Sequence, residues 1–186
     1  MKITQKVEKI VEREARSKNN YYGYNAYKFH IKNVVRFARI IAKKKNIDTE
    51  LAELAAFLHD FASLKNKKYY QDHHIHGARE AQKILKKFNY PPEKIDLIKN
   101  AILSHRGSKI MKKKTELAQC LADADAMSHF NEVYELLHLA YVVHGMEVEE
   151  GRDFVKNKLE NSWKKLTPLV KKTIKPKYQA AMKILD

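Results

Sequence analysis

Only five glycines and four prolines interrupt this 186-residue chain, and almost everywhere between them apolar residues recur three and four positions apart. That spacing is the period of a helix with one buried face, and no run alternates apolar and polar residues as a half-buried strand would. The fold class read from it is all-α: a single-domain helical bundle over 1–186. Helices are expected near 3–17, 26–45, 48–63, 74–88, 92–105, 115–145, 148–165 and 168–185. Breaks fall at NNYYGYN, SLKNKKYYQD, NYPPE, RGSK and TPL. Pro91 and Pro92 close one helix and open the next, where a proline is tolerated.

Hydrophobic residues at 44% against 32% charged fit a soluble globular protein with core enough to need no covalent staple. The opening MKITQKVEKIVEREARSKNN lacks the apolar core of a signal peptide. The longest near-apolar runs, such as LLHLAYVV, are too short to span a bilayer. One cysteine, Cys120, excludes an intrachain disulfide framework and a Cys-rich metal site. A cytoplasmic protein with no membrane partner is the expectation. The formal charge of +15 admits an acidic partner, but the excess lies in scattered lysines (Lys43 to Lys45, Lys67 and Lys68, Lys112 to Lys114, Lys171 and Lys172). No arginine-rich recognition helix emerges, so nucleic acid is disfavoured as the main partner. The periodic segment after residue 130 reads as helices completing the bundle, shaping the pocket or forming a homodimer face.

The stretch AAFLHDFASL, residues 55–64, sets His59 and Asp60 in an otherwise apolar helix. A carboxylate buried alone is prohibitively costly, so its partners must come from elsewhere in the chain. His30, in YKFHIKNVVRFARIIA, shares a face with Val34, Phe37 or Ala38, and Ile41. His105 is in register with Ile98, Ala101 and Ile102, and Asp125 follows Leu117 by eight residues and Leu121 by four. Four helices thus point a His or a carboxylate into one core. Imidazole and carboxylate without thiolate suit a divalent first-row ion such as Mn, Fe, Co, Ni or Zn, and a cation makes the burial of Asp60 and Asp125 tolerable. In QDHHIHGAREAQKIL, helical phase does not separate His73, His74 and His76. His74 points nearest Ala81 and Leu85, and all three lie at a helix start.

The order His30, His59–Asp60, His73, His105, Asp125 resembles the H…HD…H…H…D signature of the HD-domain superfamily of metal-dependent phosphohydrolases. FLHDFA, HHIHGA, AILSH and LADADAM follow in the expected order across 26–130. The resemblance implies a small stand-alone HD hydrolase whose primary metal is held by His30, His59, Asp60 and Asp125. His73 and His105 belong to a second metal in dinuclear members, and position phosphate or move protons in mononuclear ones. One or two divalent ions are implied, Mg included, with Asp60, His73, His105 and Asp125 as the catalytic set. Asp125 is preferred to Asp123 because Ala124–Asp125–Ala126–Met127 is similar to the family's context.

Two positions depart from that pattern: Phe61–Ala62 stands where Ile-Gly is frequent, and Ser63 where a lysine often follows. Candidate phosphate contacts are Lys65, in the next loop, and Arg106 and Lys109 just after His105; ordinary solvated side chains are the alternative. The reaction implied is metal-assisted hydrolysis of a phosphate ester or anhydride, with a nucleotide as substrate. Two other functions use the same ligands: a di-iron oxygenase on the HD fold, and a non-catalytic, metal-stabilised basic binding module. Tyr21, Tyr22, Tyr24 and Tyr27 either pack on a core edge or stack a base at the pocket mouth. His138 and His144 read as structural or exposed.

Overall fold

In a computed structural model that describes residues 1–105 and 115–186, α1 (Ile3–Ala15) buries Val7, Val11 and Ala15, one face at four-residue spacing. A π-helical turn, Ala26–Ile31, leads into α2 (Lys32–Lys44), which buries Val34, Phe37, Ala38 and Ile41. Asp48 caps α3 (Thr49–Leu58), its carboxylate accepting the amides of Glu50 and Leu51. There follow α4 (Phe61–Lys65), a 3₁₀ turn (Lys67–Tyr69), α5 (His73–Lys87) and α6 (Pro92–Ser104). The rest is α7 (Glu116–Asn131), α8 (Val133–His138), a second π turn (Leu139–Val143), α9 (Val148–Lys165) and α10 (Pro168–Leu185). No strand occurs among the described residues, and no helix among them is long and apolar enough to cross a membrane. Just past α2 and α5 stand Asn46 (φ 56°) and Asn89 (φ 52°), left-handed positions that asparagine tolerates at helix ends.

Helix α7 is the axle. Thr115 caps it through Oγ1 to the amide of Ala118, and it packs against α2, α3, α6, α9 and α10. Enclosed on nearly every side, it carries Asp123, Asp125, Ser128 and His129 into the interior with its apolar residues. The pocket therefore needs no loop to bring those groups inward.

Three departures of the chain from the expected helices border the site. The span 48–63 breaks at His59–Asp60, where Asp60 has φ −106° and ψ 6°. The span 115–145 breaks at Glu132, at φ −126° and ψ 48°. The span 26–45 opens as a π turn around His30, the kind of irregularity that recurs at functional positions. At the first break α5 comes close: a Cβ on Gly77 would lie 3.2 Å from the His59 carbonyl oxygen and 3.7 Å from that of Leu58. Gly77→Val is therefore expected to lower stability by about 1–3 kcal/mol through overpacking against rigid backbone. A melting curve unchanged from that of the parent would contradict this close approach.

Candidate metal centre

His59 and His105 are the C-terminal caps of α3 and α6. The last carbonyls of a helix lack amide partners, and here the imidazoles help to supply them. The His59 Nδ1–H donates to Ala56 O at 2.7 Å and the His105 Nδ1–H to Ile102 O at 2.6 Å. His73, the first residue of α5, donates likewise to Tyr70 O at 2.7 Å. His30 Nδ1 lies 3.1 Å from Ser128 Oγ, whose own hydrogen goes to the His30 carbonyl at 3.3 Å. Nδ1 is therefore the donor there too. All four rings are held in one tautomer, with Nε2 left as a bare lone pair.

Those lone pairs meet two by two. His30 and His59 bring their Nε2 atoms to 3.3 Å, and His73 and His105 do the same at 3.3 Å. Asp60 stands between the pairs. Its Oδ2 is 3.5 Å from His59 Nε2 and 3.8 Å from His30 Nε2, while its Oδ1 is 3.4 Å from His73 Nε2 and 3.8 Å from His105 Nε2. Asp125 joins the first pair, with Oδ1 3.4 Å from His30 Nε2 and 4.0 Å from His59 Nε2, and its Oδ2 accepts from the Lys165 ammonium. Facing imidazole lone pairs repel unless a cation lies near them, and the carboxylates add the matching negative charge. Donor atoms of His30, His59 and Asp125, and of His59, Asp60 and His105, lie within 4.8 Å of one another. The donor set fits a divalent ion.

The electrostatics agree. Burial lowers His30 and His105 to about 4 despite the nearby carboxylates, and it lowers His73 as well. These rings are neutral at pH 7, the form that binds a metal. Burial pushes Asp60 up, and only positive charge on His59, His105 and His73 holds the carboxyl well below its usual range, a charge that a bound cation supplies where those rings are neutral. For Asp125 burial is likewise outweighed, by Lys165, His129 and His30.

Residues 27–129, more than half of the chain, match the HD domain family. The chain belongs to that family. An uncharacterized protein of Clostridium beijerinckii (strain ATCC 51743 / NCIMB 8052) is 30% identical over 101 residues, which is 53% of this chain and 62% of that protein. The chain thus matches less than two thirds of that relative's length. A crystal structure of a predicted HD superfamily hydrolase from an uncultured Thermotogales bacterium shares the fold, with a TM-score of 0.59 over 84% of each chain at 23% identity. HD domain membership and the His/Asp groups able to hold a metal agree in placing a candidate metal centre here.

Within this HD domain the six residues His30, His59, Asp60, His73, His105 and Asp125 come together, from five separate helical segments and the break after α3. Of the three neighbouring histidines, His73 enters the cluster, His76 stacks on Tyr69 with centroids 4.2 Å apart, and His74 is buried beside His73. Asp123 is turned elsewhere. It accepts from the Thr167 amide at 2.9 Å, Thr167 Oγ1 at 2.8 Å and Gln119 Nε2 at 3.2 Å, tying α7 to the turn before α10. Asp123→Ala is accordingly expected to cost about 2 kcal/mol of stability, by stranding the part-buried Thr167 amide and hydroxyl, while leaving bound metal undiminished. Loss of metal with no loss of stability would exchange the roles of Asp123 and Asp125.

The candidate phosphate contacts fare differently. The structure does not bring Lys65 to the cluster, because its ammonium sits on Glu80 Oε2 at 2.6 Å. Arg106 and Lys109 lie outside the described residues. In their place α9 presents cations that sequence reading passed over. A cavity of about 180 Å³ above Asp60 is walled by His73, His105, Asp125, Lys158, Asn161 and Lys165. Lys158, Asn161 and Lys165 recur at helical spacing, a signal hidden because lysines on an amphipathic helix normally face water. His129 was also missed. It lies one turn beyond Asp125, stacks on His30 at 5.0 Å and 5°, and brings Nε2 to 3.6 Å from Asp125 Oδ1. Tyr22 lines the same cavity, whereas Tyr27 is buried and Tyr24 packs under Arg16. His138 and His144 stand away from the cluster, against Asn25 and Tyr21.

Proposed function

We propose that this HD domain hydrolyses phosphate esters or anhydrides, with nucleotides the first substrate class to test. The observation that carries the proposal is Asp60, which offers one oxygen to each of two pairs of bare imidazole nitrogens beside a cavity walled by two lysines. His30, His59, Asp60 and Asp125 would hold one divalent ion, and His73, His105 and the other Asp60 oxygen a second. An ion held there supplies Lewis acidity toward a phosphoryl oxygen and acidifies water. The chain's own groups supply the rest. Lys158 and Lys165 offset phosphate charge as ammonium point charges on the cavity wall. Asp125, fixed between the imidazoles and Lys165, orients the attacking water. His129 donates Nδ1–H to Ser162 Oγ at 2.8 Å, because that hydroxyl itself donates to Lys158 O. Its Nε2 is thereby left as a proton acceptor. A net charge of +15 draws anions toward the chain as a whole.

Metal analysis of the purified protein, beside a phosphate-release screen of nucleotides and simple esters with Mn, Co, Ni, Zn or Mg, tests the proposal. Bound metal with phosphate or pyrophosphate release supports it. Protein that takes up no metal, or metal-loaded protein that releases phosphate from nothing, rejects it. Iron with oxygen uptake and no phosphate release would replace it with the oxygenase.

A further inference from the structure

A second cleft adjoins the polar cavity and shares Tyr22, Asp60, His129 and Lys158 with it. Its character is opposite. Ala26, Ile31, Leu136 and Leu139 make an apolar wall, and the break after α7 sets two carboxylates, Glu132 and Glu135, into that wall. Each of these glutamates is only 8% exposed. Glu132 Oε1 accepts from Asn33 Nδ2 at 2.6 Å and Asn131 Nδ2 at 2.8 Å. Its Oε2 is buried and has no hydrogen-bond partner among the described residues. A buried carboxylate oxygen without a donor is costly. The bonds from Asn33 and Asn131 account for Oε1 alone and leave Oε2 unexplained. Glu135 adds to the cost: burial, and then the charge of Glu132, push it up to about 7. Glu132 Oε2 is thus short of a hydrogen-bond donor, with the Glu135 carboxyl one helical turn away in the same wall.

We infer that this cleft receives the part of the substrate that leaves with the ester oxygen, and that Glu132 and Glu135 select leaving groups carrying hydrogen-bond donors, either hydroxyls or an amine. The inference rests on the hydrolase reading above, which places the phosphate between the histidine pairs and the lysines of α9. From there the rest of the molecule passes Tyr22 and Lys158, two of the four residues common to both cavities, and enters the apolar cleft. A donor-free leaving group would leave the unpartnered Glu132 oxygen dry and unpaired. Sites built to bond a donor reject analogues lacking it far more strongly than apolar pockets reject a change of size.

The test is calorimetric binding of three small esters to the metal-loaded full chain: propyl phosphate, glyceryl phosphate and aminoethyl phosphate. They share a phosphate and an alkyl linkage and differ in donors. At least one donor-bearing ester is expected to bind about tenfold or more tightly than propyl phosphate. Tighter binding of glyceryl phosphate identifies a polyol, and of aminoethyl phosphate a cation. In Glu132→Gln and Glu135→Gln the ratio is expected to fall toward one. Equal affinities for the three esters in the unaltered protein, a comparison that needs no variant to fold, would overturn the inference. So would a ratio that survives in both folded variants. Phosphate release, measured separately, decides the hydrolase reading, so each can fail without the other.

Discussion

Asp60→Ala is expected to remove bound metal and turnover together. Asp60 has an oxygen within 3.8 Å of the Nε2 atom of each of four histidines, so its loss withdraws the negative charge that both pairs share. Replacing a group that only orients a ligand lowers metal affinity or activity by about 10–100-fold, and loss of a shared ligand should exceed that range. Asp125→Ala is the informative comparison, because its carboxylate faces His30 and His59 alone among the two pairs. It should deplete one site while His73, His105 and Asp60 keep their arrangement. Elemental analysis against phosphate release reads both variants. Full metal content and full activity in Asp60→Ala would dismantle the centre described here.

The second large effect is acid lability of the metal-free chain. His30 and His105 stand at about 4 in the fold against 6.5 when unperturbed. Between those values the unfolded chain binds protons that the folded chain refuses, so stability rises with pH across the window and is lost as pH falls through it. The displacement corresponds to roughly 3 kcal/mol for each ring. His73 and His129, also lowered chiefly by burial, act in the same direction. Asp60 and Asp125, held well below 3.8, add their loss only in stronger acid. Glu135 works the other way. Raised to about 7, it favours the fold below its unfolded value of 4.5, and that contribution fades as pH rises through 7. One carboxyl against several imidazoles leaves the net sign unchanged. The melting temperature of chelated protein should therefore drop steeply from pH 6.5 to pH 4, and metal should shift the drop to lower pH by competing with protons. A flat profile across that window would mean the rings are not buried and neutral.

Most of the helical frame could be read from apolar spacing, because helices with one buried face advertise it. The inward placement of His30, His59, His105 and Asp125 was legible for the same reason: each interrupts an apolar stripe. The breaks at Asp60 and Glu132 were not. Neither carries Gly or Pro, and tertiary contact, including the approach of Gly77 to the His59 carbonyl, accompanies the bend at the first. Phase could not separate His73 from His74 and His76, since a helix start leaves the face of its first residues undefined. Lys165 was overlooked because a lysine turned inward needs a partner from another element, here Asp125 on α7, and Lys158 because a lysine on an amphipathic helix reads as solvated. His129 was within reach, standing four residues past Asp125 on a helix already read as inward-facing.

Three of the four paired rings owe their orientation to main-chain carbonyls, those of Ala56, Tyr70 and Ile102, rather than to side chains. A carbonyl is present whatever residue a codon specifies. No single replacement at those supporting positions can delete the acceptor, so drift cannot erode the aim of His59, His73 or His105 one atom at a time. His30 is the exception, since a Ser128→Ala change would remove its anchor outright. Inherited variation that retunes this centre gently should therefore collect around residue 128, while the other three rings are either kept or lost whole.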